Sequence, residues 1–251
     1  MAAHRIDVLG ASGGLGAENG STCIRLGESI LVDAGTGLSR LNVKQMRKIK
    51  HVVLTHSHMD HIASLPMFLS NMFEGVEHQV QVYALRHTIE KLKTHIFNDE
   101  IWPDFTRSMG PVGPVVVLNE VDPGDRLKLE GLEINLFPVE HTVPTVGVSV
   151  RGDLLADDTV ISHFAFTSDT TEGSFLNDQL HRLGAIDVLM IECSFPDDKY
   201  ELARQTKHMT PEMVFDTLEA LEVPPQHVWI SHLKPSFETE LREALQEFHV
   251  L

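Results

Sequence analysis

The first third of the chain alternates short apolar runs with glycine-rich turns. The runs at residues 6–10, 22–26 and 29–33 predict β-strands. Residues 51–54 form another apolar run, and residues 62–73 carry apolar side chains at helical spacing. The pattern therefore predicts short strands, the last of which leads into a helix.

The same pattern of strands and helices continues to the end of the chain. Further strands are predicted at residues 79–85, 132–139, 146–150, 160–167, 186–191 and 227–230. Further helices are predicted at residues 44–49, 86–97, 175–183, 211–221 and 238–248. Thr210 is the expected N-cap of the helix that begins at Pro211. Two halves of similar make-up predict an α/β fold with two sheets packed face to face, helices outside, and one domain over residues 1–251.

Composition and charge narrow the range of functions. The 251 residues carry a formal net charge of -16, and no basic stripe is visible, which argues against a nucleic-acid polymer as partner. Apolar runs are too short to span a bilayer, and residues 1–7 lack the pattern of a secretory signal, so a cytoplasmic protein is the expectation. With two cysteines, a disulfide framework or a zinc site of four thiolates is excluded.

Histidines are numerous, and several of them form a cluster. The chain has 15 histidines, and His56, His58, Asp60 and His61 follow the strand at residues 51–54. Four polar groups at the end of an apolar strand are costly to bury unless each has a partner. Side chains alternate along an extended segment, so His56 and His58 point the same way. Asp60 and His61 come after the turn into the helix and can face a second ion.

Three more candidate ligands follow later strands. His141, Asp169 and His232 come after the strands at residues 132–139, 160–167 and 227–230. Their recurrence at strand ends predicts that they join the first cluster. Mixed imidazole and carboxylate ligands suit Zn²⁺, although Mn²⁺ or Fe²⁺ also bind such ligands.

The string His-x-His-x-Asp-His, followed by His, Asp and His, resembles the metallo-β-lactamase superfamily. The resemblance implies an αββα sandwich of two mixed β-sheets, with two divalent metal ions at one edge. It assigns His56, His58 and His141 to the first ion, Asp60, His61 and His232 to the second, and Asp169 to both.

A narrower resemblance is to the class II 3′,5′-cyclic-nucleotide phosphodiesterases. It is carried by several short motifs spread along most of the chain: Gly13-Gly14, Glu18-Asn19, Ser21, His95-Ile96-Phe97-Asn98, Ile101-Trp102-Pro103, Ile191-Glu192-Cys193-Ser194-Phe195, His208-Met209-Thr210-Pro211 and Ile230-Ser231-His232-Leu233-Lys234-Pro235. It implies hydrolysis of a cyclic nucleotide to a 5′-monophosphate by water that the two metals activate. The chain departs from many members in being shorter and in having Met59 within the metal string.

A poor alkoxide leaving group calls for a general acid, and His208 is the candidate. It precedes a predicted helix, and Glu192 at a strand end is expected to hold its other ring nitrogen, as a similar pair does in the related tRNA 3′-processing enzymes. Asp60 has two open roles, metal ligand or base toward the attacking water.

Candidate substrate contacts lie in two parts of the sequence. Thr142, Lys207 and Lys234 are candidates for the phosphate. For the nucleobase, Phe97, Trp102 and Phe105 offer stacking surfaces, and Asn98 and Asp99 offer groups that can read the base edge, although core packing is the competing interpretation of the aromatic residues.

Several readings remain open at this point. A tRNA 3′-processing endonuclease has the same chemistry, but the acidic charge argues against it. A metal-binding sensor without turnover, or a β-lactam or thioester hydrolase, uses the same site. Similar proteins commonly form dimers, so a homodimer is one open assembly, and the preference for cyclic AMP or cyclic GMP stays open as well.

Overall fold

The computed structural model describes residues 3–16, 19–72, 78–108 and 113–251. Glu18 and Phe73, which belong to the predictions above, lie outside the described residues. The strands are β1 (His4–Ser12), β2 (Gly20–Ser21), β3 (Cys23–Leu26), β4 (Ile30–Val32), β5 (His51–Val53), β6 (Val80–Leu85), β7 (Val116–Val121), β8 (Arg126–Leu129), β9 (Leu132–Val139), β10 (Thr145–Ala156), β11 (Thr159–Phe166), β12 (Val188–Glu192), β13 (His227–Ser231) and β14 (His249–Val250). The α-helices are α1 (Val43–Met46), α2 (Met59–Ile62), α3 (Leu65–Ser70), α4 (Arg86–His95), α5 (Ser174–Leu183), α6 (Tyr200–Thr206), α7 (Pro211–Glu219) and α8 (Glu238–Ala244).

Two mixed sheets share the long first strand. On one side of β1 the strands follow the order β3-β4-β5-β6-β7, and on the other side the order β10-β11-β12-β13-β14, with β9 pairing β10 and β8 pairing β9. β1 pairs antiparallel with β3 and parallel with β10, so one strand belongs to both sheets. The predicted α/β fold with two mixed sheets is confirmed.

Three apolar clusters separate the four layers. The largest lies between the two sheets and includes Ile24, Leu136 and Phe164. A second packs the helices α1, α3 and α4 on the β3–β7 sheet, and a third packs α5 to α8 on the other sheet. Alternate positions of β9 show how the pattern produces this: Ile134 and Leu136 face the space between the sheets, whereas Phe137 packs under α5. The layers are therefore helix, sheet, sheet, helix.

The structure differs from the predicted elements in several places. The helix predicted at residues 62–73 is two short helices, α2 and α3, and it begins three residues earlier, at Met59. β10 extends to Ala156 rather than residue 150, and β7, β8, α6 and β14 were not predicted. Thr210 does lie at the N-cap of α7, but its hydroxyl makes no capping hydrogen bond. Tertiary pairing sets these boundaries, and local pattern is a weak guide to them.

The topology brings several strand ends to one edge of the molecule. β9 and β11 both pair antiparallel with β10, and β11, β12 and β13 are mutually parallel, so these four strands run in the same direction. In the other sheet β4, β5, β6 and β7 are parallel. The two sheets meet where Val146 N donates to the Thr55 carbonyl at 3.2 Å. Residues that follow β5, β9, β11, β12 and β13 therefore converge.

No helix among residues 3–16, 19–72, 78–108 and 113–251 is long and apolar enough to cross a bilayer.

Candidate metal centre

The string that begins at His56 surrounds the start of α2. His56 follows β5 and is fully buried, and His58 is the N-cap residue of α2. Asp60 and His61 lie within that first turn. The turn thus separates two pairs of donors, as the spacing in the sequence predicts.

Seven side chains converge into two sets of four donors that share Asp169. Within each set the candidate ligand atoms lie within 4.8 Å of one another. The first set is His56, His58, His141 and Asp169, and the second is Asp60, His61, Asp169 and His232. Every residue of the predicted ligand set is in this cluster, and the division into two sets matches the division that the resemblance implies.

Asp169 lies at the centre of the cluster and is almost completely buried. Its Oδ1 is 3.2 Å from His61 Nε2, and its Oδ2 is 3.2 Å from His232 Nε2 and 3.7 Å from His56 Nε2. Asp60 Oδ2 in turn lies 3.1 Å from His232 Nε2. One carboxylate therefore contacts imidazoles of both sets.

Three atoms of this cluster test whether a cation fits there. His56 Nε2, His61 Nε2 and Asp169 Oδ1 are buried and make no hydrogen bond within the residues that the structure describes, although His61 Nε2 and Asp169 Oδ1 are 3.2 Å apart. Leaving buried polar atoms unpaired costs free energy, and a cation removes that cost because nitrogen and oxygen lone pairs coordinate it. Imidazoles with carboxylates are typical ligands of divalent transition-metal ions. The donor set fits divalent metal binding.

The protonation tendencies of His56, His141 and Asp169 agree with this fit, whereas the carboxylates of Asp169 and Asp33 outweigh burial and raise the pKa of His61. Burial lowers the pKa of His56 well below its ordinary value and lowers the pKa of His141 to about 4. Burial acts to raise the pKa of Asp169, but His232 and His61 outweigh it and hold that pKa well below its ordinary value. Neutral imidazoles and an ionised carboxylate are the forms that bind metals.

Asp33 is a functional candidate that sequence reasoning missed. It is fully buried with a φ of 58°, and its Oδ2 lies 2.7 Å from His61 Nδ1. It also accepts hydrogen bonds from Thr55 N at 2.8 Å and from Thr55 Oγ1 at 2.8 Å. These bonds aim His61 Nε2 at Asp169. Asp33 ends the apolar run at residues 29–33, which is the signal that identified Asp169.

Two other candidate ligands are held through their second ring nitrogen. His141 Nδ1 lies 3.0 Å from the carbonyl oxygen of Lys207, whose φ of 52° turns the chain at the end of α6. His232 Nδ1 lies 3.0 Å from Ser194 Oγ. Contacts of this kind fix ring orientation and are typical of metal-binding histidines.

Gly13 lies against His232, which explains the need for a glycine in the first loop. A Cβ at this position would lie 2.5 Å from the His232 carbonyl oxygen and 2.8 Å from His232 Nδ1. Any larger residue would displace the histidine. Lys234 Nζ donates to the Gly13 carbonyl at 2.9 Å, so this lysine fastens the loop.

The candidate acid and its partner lie beside the cluster. His208 Nδ1 is 2.6 Å from Glu192 Oε1, and the His208 ring stacks on His232 with 5.1 Å between centroids. Glu192 is fully buried and also accepts from Thr170 N at 3.0 Å and Ser194 Oγ at 2.9 Å. Burial acts to lower the pKa of His208, but the Glu192 carboxylate outweighs it and raises that pKa.

Of the candidate phosphate contacts, Thr142 is at the cluster. Its Oγ1 lies 3.5 Å from His58 Nε2, and the side chain is exposed. Lys207 Nζ lies 3.9 Å from Glu140, so its contact with the cluster is through its backbone carbonyl. Lys234 Nζ is engaged with Gly13, as described above.

The candidate base contacts are not brought to the cluster. The Phe105 carbonyl accepts from Val115 N at 3.1 Å and Val116 N at 3.2 Å, at the amino end of β7. β7 is parallel to β5 and β6, so this loop lies at the edge opposite to the one that carries His56.

The residues of the loop between α4 and β7 make contacts with each other and with the apolar core. Phe97 and Phe105 are buried in the apolar core, and Trp102 packs against the same cluster. Asn98 donates to the Thr94 carbonyl and accepts from Glu100 N and Ile101 N, and Asp99 pairs with Arg107. Asn98 and Trp102, which the sequence offers for the base, are thus not brought to the cluster, and their contacts are those of core packing and loop closure.

Comparisons with known proteins agree with this geometry. Residues 28–233 match the family model described as the beta-lactamase superfamily domain. A probable 3′,5′-cyclic-nucleotide phosphodiesterase of Yersinia pestis is 26% identical over 211 residues, which cover 76% of this chain and 59% of that protein. The chain thus spans less than two thirds of that relative's length. A ribonuclease Z of Methanocaldococcus jannaschii is 25% identical over 239 residues, 73% of this chain and 70% of that protein.

A solved structure shows the same fold. The crystal structure of unliganded yeast PDE1 superposes with a TM-score of 0.72 at 19% identity, covering 100% of this chain and 96% of that one. The four layers, the convergent strand ends and the match over residues 28–233 lead to one assignment. The chain belongs to the metallo-β-lactamase superfamily and has its fold.

Proposed function

We propose that the chain is a metal-dependent phosphodiesterase that hydrolyses 3′,5′-cyclic nucleotides to 5′-nucleoside monophosphates. The observation that carries this proposal is the position of the Glu192–His208 pair. The centroid of the His208 ring lies 5.0 Å from that of His141 and 5.1 Å from that of His232. One acid is therefore close to both donor sets. An acid beside a metal cluster suits a reaction that expels an alkoxide.

The two donor sets are proposed to hold two divalent ions, with zinc as the expected metal. The first set is His56, His58 and His141, the second is Asp60, His61 and His232, and Asp169 serves both. Bound there, such ions supply Lewis acidity, which activates water near neutral pH and offsets the charge that develops on phosphoryl oxygens. Manganese or iron suits the same ligands.

The roles of the protein groups follow from their contacts. His208 donates a hydrogen bond from Nδ1 to Glu192, and its Nε2 is the atom that protonates the departing ribose 3′ oxygen. Thr142, exposed beside His58, donates to a phosphate oxygen. Asp60 is a ligand, and its side chain, 26% exposed, keeps the alternative role of base toward the attacking water open.

A tRNA 3′-processing activity is the second candidate, because a ribonuclease Z is about as similar in sequence as the phosphodiesterase relative. Both activities cleave phosphodiesters with the same groups. The net charge of -16 favours the small substrate, since binding of a polynucleotide depends on neutralising many phosphates.

A substrate panel separates the two candidates. Metal-loaded protein is incubated with cyclic AMP, cyclic GMP, a precursor tRNA and bis-p-nitrophenyl phosphate. We expect turnover of at least one cyclic nucleotide to its 5′-monophosphate, with the tRNA left intact. Cleavage of the tRNA without turnover of either cyclic nucleotide would replace the proposal by the second candidate. Turnover of none of the four would contradict both.

Replacing Asp33 by asparagine is expected to weaken metal binding without unfolding the protein. The amide keeps the shape but loses the charge that orients His61, and loss of such a partner typically costs 10–100-fold in affinity. Competition with a chromogenic chelator measures this affinity. The matched control is Asp153→Asn on the surface, which we expect to bind metal like the unaltered protein. Unchanged affinity in Asp33→Asn would remove this residue from the centre.

A further inference from the structure

A small hollow lies on the outer face of the β8–β9–β10 segment, where α5 ends. Its volume is about 100 Å³, and three arginines, Arg126, Arg151 and Arg182, line it together with Ser149. The metal centre is elsewhere: β9 begins at this hollow and ends next to His141. No group of the proposed reaction is part of it.

Strand register explains why polar side chains share this face. Ser149 pairs with Asn135, Arg151 pairs with Glu133, and Arg126 pairs with Asn135 across the three strands. Paired residues point to the same side of a sheet, and the residues between them point to the other side. Those intervening residues, Ile134, Val148 and Val150, are buried between the sheets.

The charge of the hollow is opposite to that of the whole chain. Three arginines and one acidic residue, Glu133, are among the residues that line it, so the lining residues carry a formal charge of +2 in a chain of net charge -16. The Arg126–Glu133 pair is 3.4 Å long and largely exposed, so it neutralises little. Several arginines lining one hollow are typical of sites for oxyanions, because the guanidinium offers a fork of donors.

A buried serine supplies a different kind of group to this hollow. Ser149 is 1% exposed, and its Oγ lies 2.8 Å from His163 Nε2. His163 Nδ1 lies 2.6 Å from the Ala185 carbonyl oxygen, so Nδ1 carries a hydrogen. Burial lowers the pKa of His163, which keeps the ring neutral. His163 Nε2 is then an acceptor, Ser149 donates to it, and the serine oxygen offers lone pairs rather than a proton.

We propose that this hollow binds inorganic phosphate, with oxygens held by Arg126, Arg151 and Arg182 and a P–O–H group that donates to Ser149 Oγ. Its volume corresponds to about three waters, which suits a tetrahedral anion and not a nucleoside. The serine selects an anion that carries a proton. Sulfate has none near neutral pH, and a nucleoside monophosphate has lost its second proton at pH 8, since that pKa is about 6.

Calorimetric titration of the metal-loaded protein at pH 8 tests the site. Inorganic phosphate, sulfate and adenosine 5′-monophosphate are titrated separately into the unaltered protein and into Arg182→Gln. The control is Arg107→Gln, an exposed arginine that pairs with Asp99 and Asp104 in a distant loop. Both variants keep the metal centre, so any binding of anions there is the same in the two titrations. The difference between the two titrations therefore reports binding in the hollow alone.

We expect a phosphate-binding event that Arg182→Gln weakens at least about tenfold and that Arg107→Gln leaves unchanged. Sulfate and the monophosphate should bind to the same site about fivefold to tenfold more weakly than phosphate. This ratio of affinities corresponds to the free energy of one hydrogen bond. Ser149→Ala should remove this discrimination while anion binding persists. A phosphate titration that is identical in the unaltered protein and Arg182→Gln would overturn the site, and equal binding of phosphate and sulfate would overturn the role of Ser149.

Discussion

Replacing His208 by glutamine is expected to slow hydrolysis of a cyclic nucleotide about 10²–10⁴-fold while the metal content stays unchanged. In the unaltered protein, His208 Nδ1 lies 2.6 Å from the buried carboxylate of Glu192. The glutamine amide can still donate a hydrogen bond to that carboxylate. It cannot transfer a proton to the leaving oxygen. His208→Ala should show the same loss of turnover, with some loss of stability because Glu192 is left without that partner.

The leaving group distinguishes a general acid from a residue that only supports the site. p-Nitrophenolate needs no proton, so turnover of bis-p-nitrophenyl phosphate should fall far less in His208→Gln than turnover of a cyclic nucleotide. The matched control is His95→Gln, an exposed histidine at the end of α4, which should behave like the unaltered protein. Equal losses on both substrates, or full activity on the cyclic nucleotide, would exclude His208 as the acid.

Replacing Asp169 by asparagine is expected to reduce both metal binding and activity. Its two oxygens lie 3.2 Å from His61 and from His232, and its carboxylate belongs to both donor sets. The amide removes the negative charge and replaces one oxygen by a group without a lone pair for a metal. We expect weaker binding of both ions. We also expect a loss of activity of about 10³-fold or more, measured with a cyclic nucleotide or with bis-p-nitrophenyl phosphate.

The exposed variant Asp153→Asn again serves as the control, because it removes the same charge away from the cluster. Circular dichroism shows whether the Asp169→Asn protein is folded. A loss of activity is attributed to the missing carboxylate only if the protein is folded. A folded Asp169→Asn protein that binds metal and turns over substrate normally would contradict the assignment of the shared ligand.

The residues that meet in the candidate metal cluster could be predicted because each follows a short apolar strand. His141, Asp169 and His232 come after β9, β11 and β13, and parallel direction brings such residues to one edge. Asp33 follows β4 in the same way, but it was counted as the last residue of the predicted strand and is not in the ligand set that the resemblance implies. Its contact with His61 depends on the pairing of β4 with β5.

The substrate contacts could not be predicted in the same way. Aromatic residues such as Phe97 and Trp102 look alike in sequence whether they stack on a ligand or pack in a core. The direction of α4 decides between these roles, because the helix carries the chain from the carboxyl end of β6 back to the amino end of β7. Strand pairing between β8, β9 and β10, which assembles the arginine hollow, was likewise invisible because β8 was not predicted.

The most direct test of the account is the number of metal ions bound per chain. Protein loaded with zinc, freed of excess ion and analysed by inductively coupled plasma mass spectrometry is expected to contain two zinc ions per chain. Manganese- or iron-loaded protein should give the same number. Retention of fewer than two ions under every loading condition would contradict the proposal that His56, Asp169 and their neighbours form a binuclear centre.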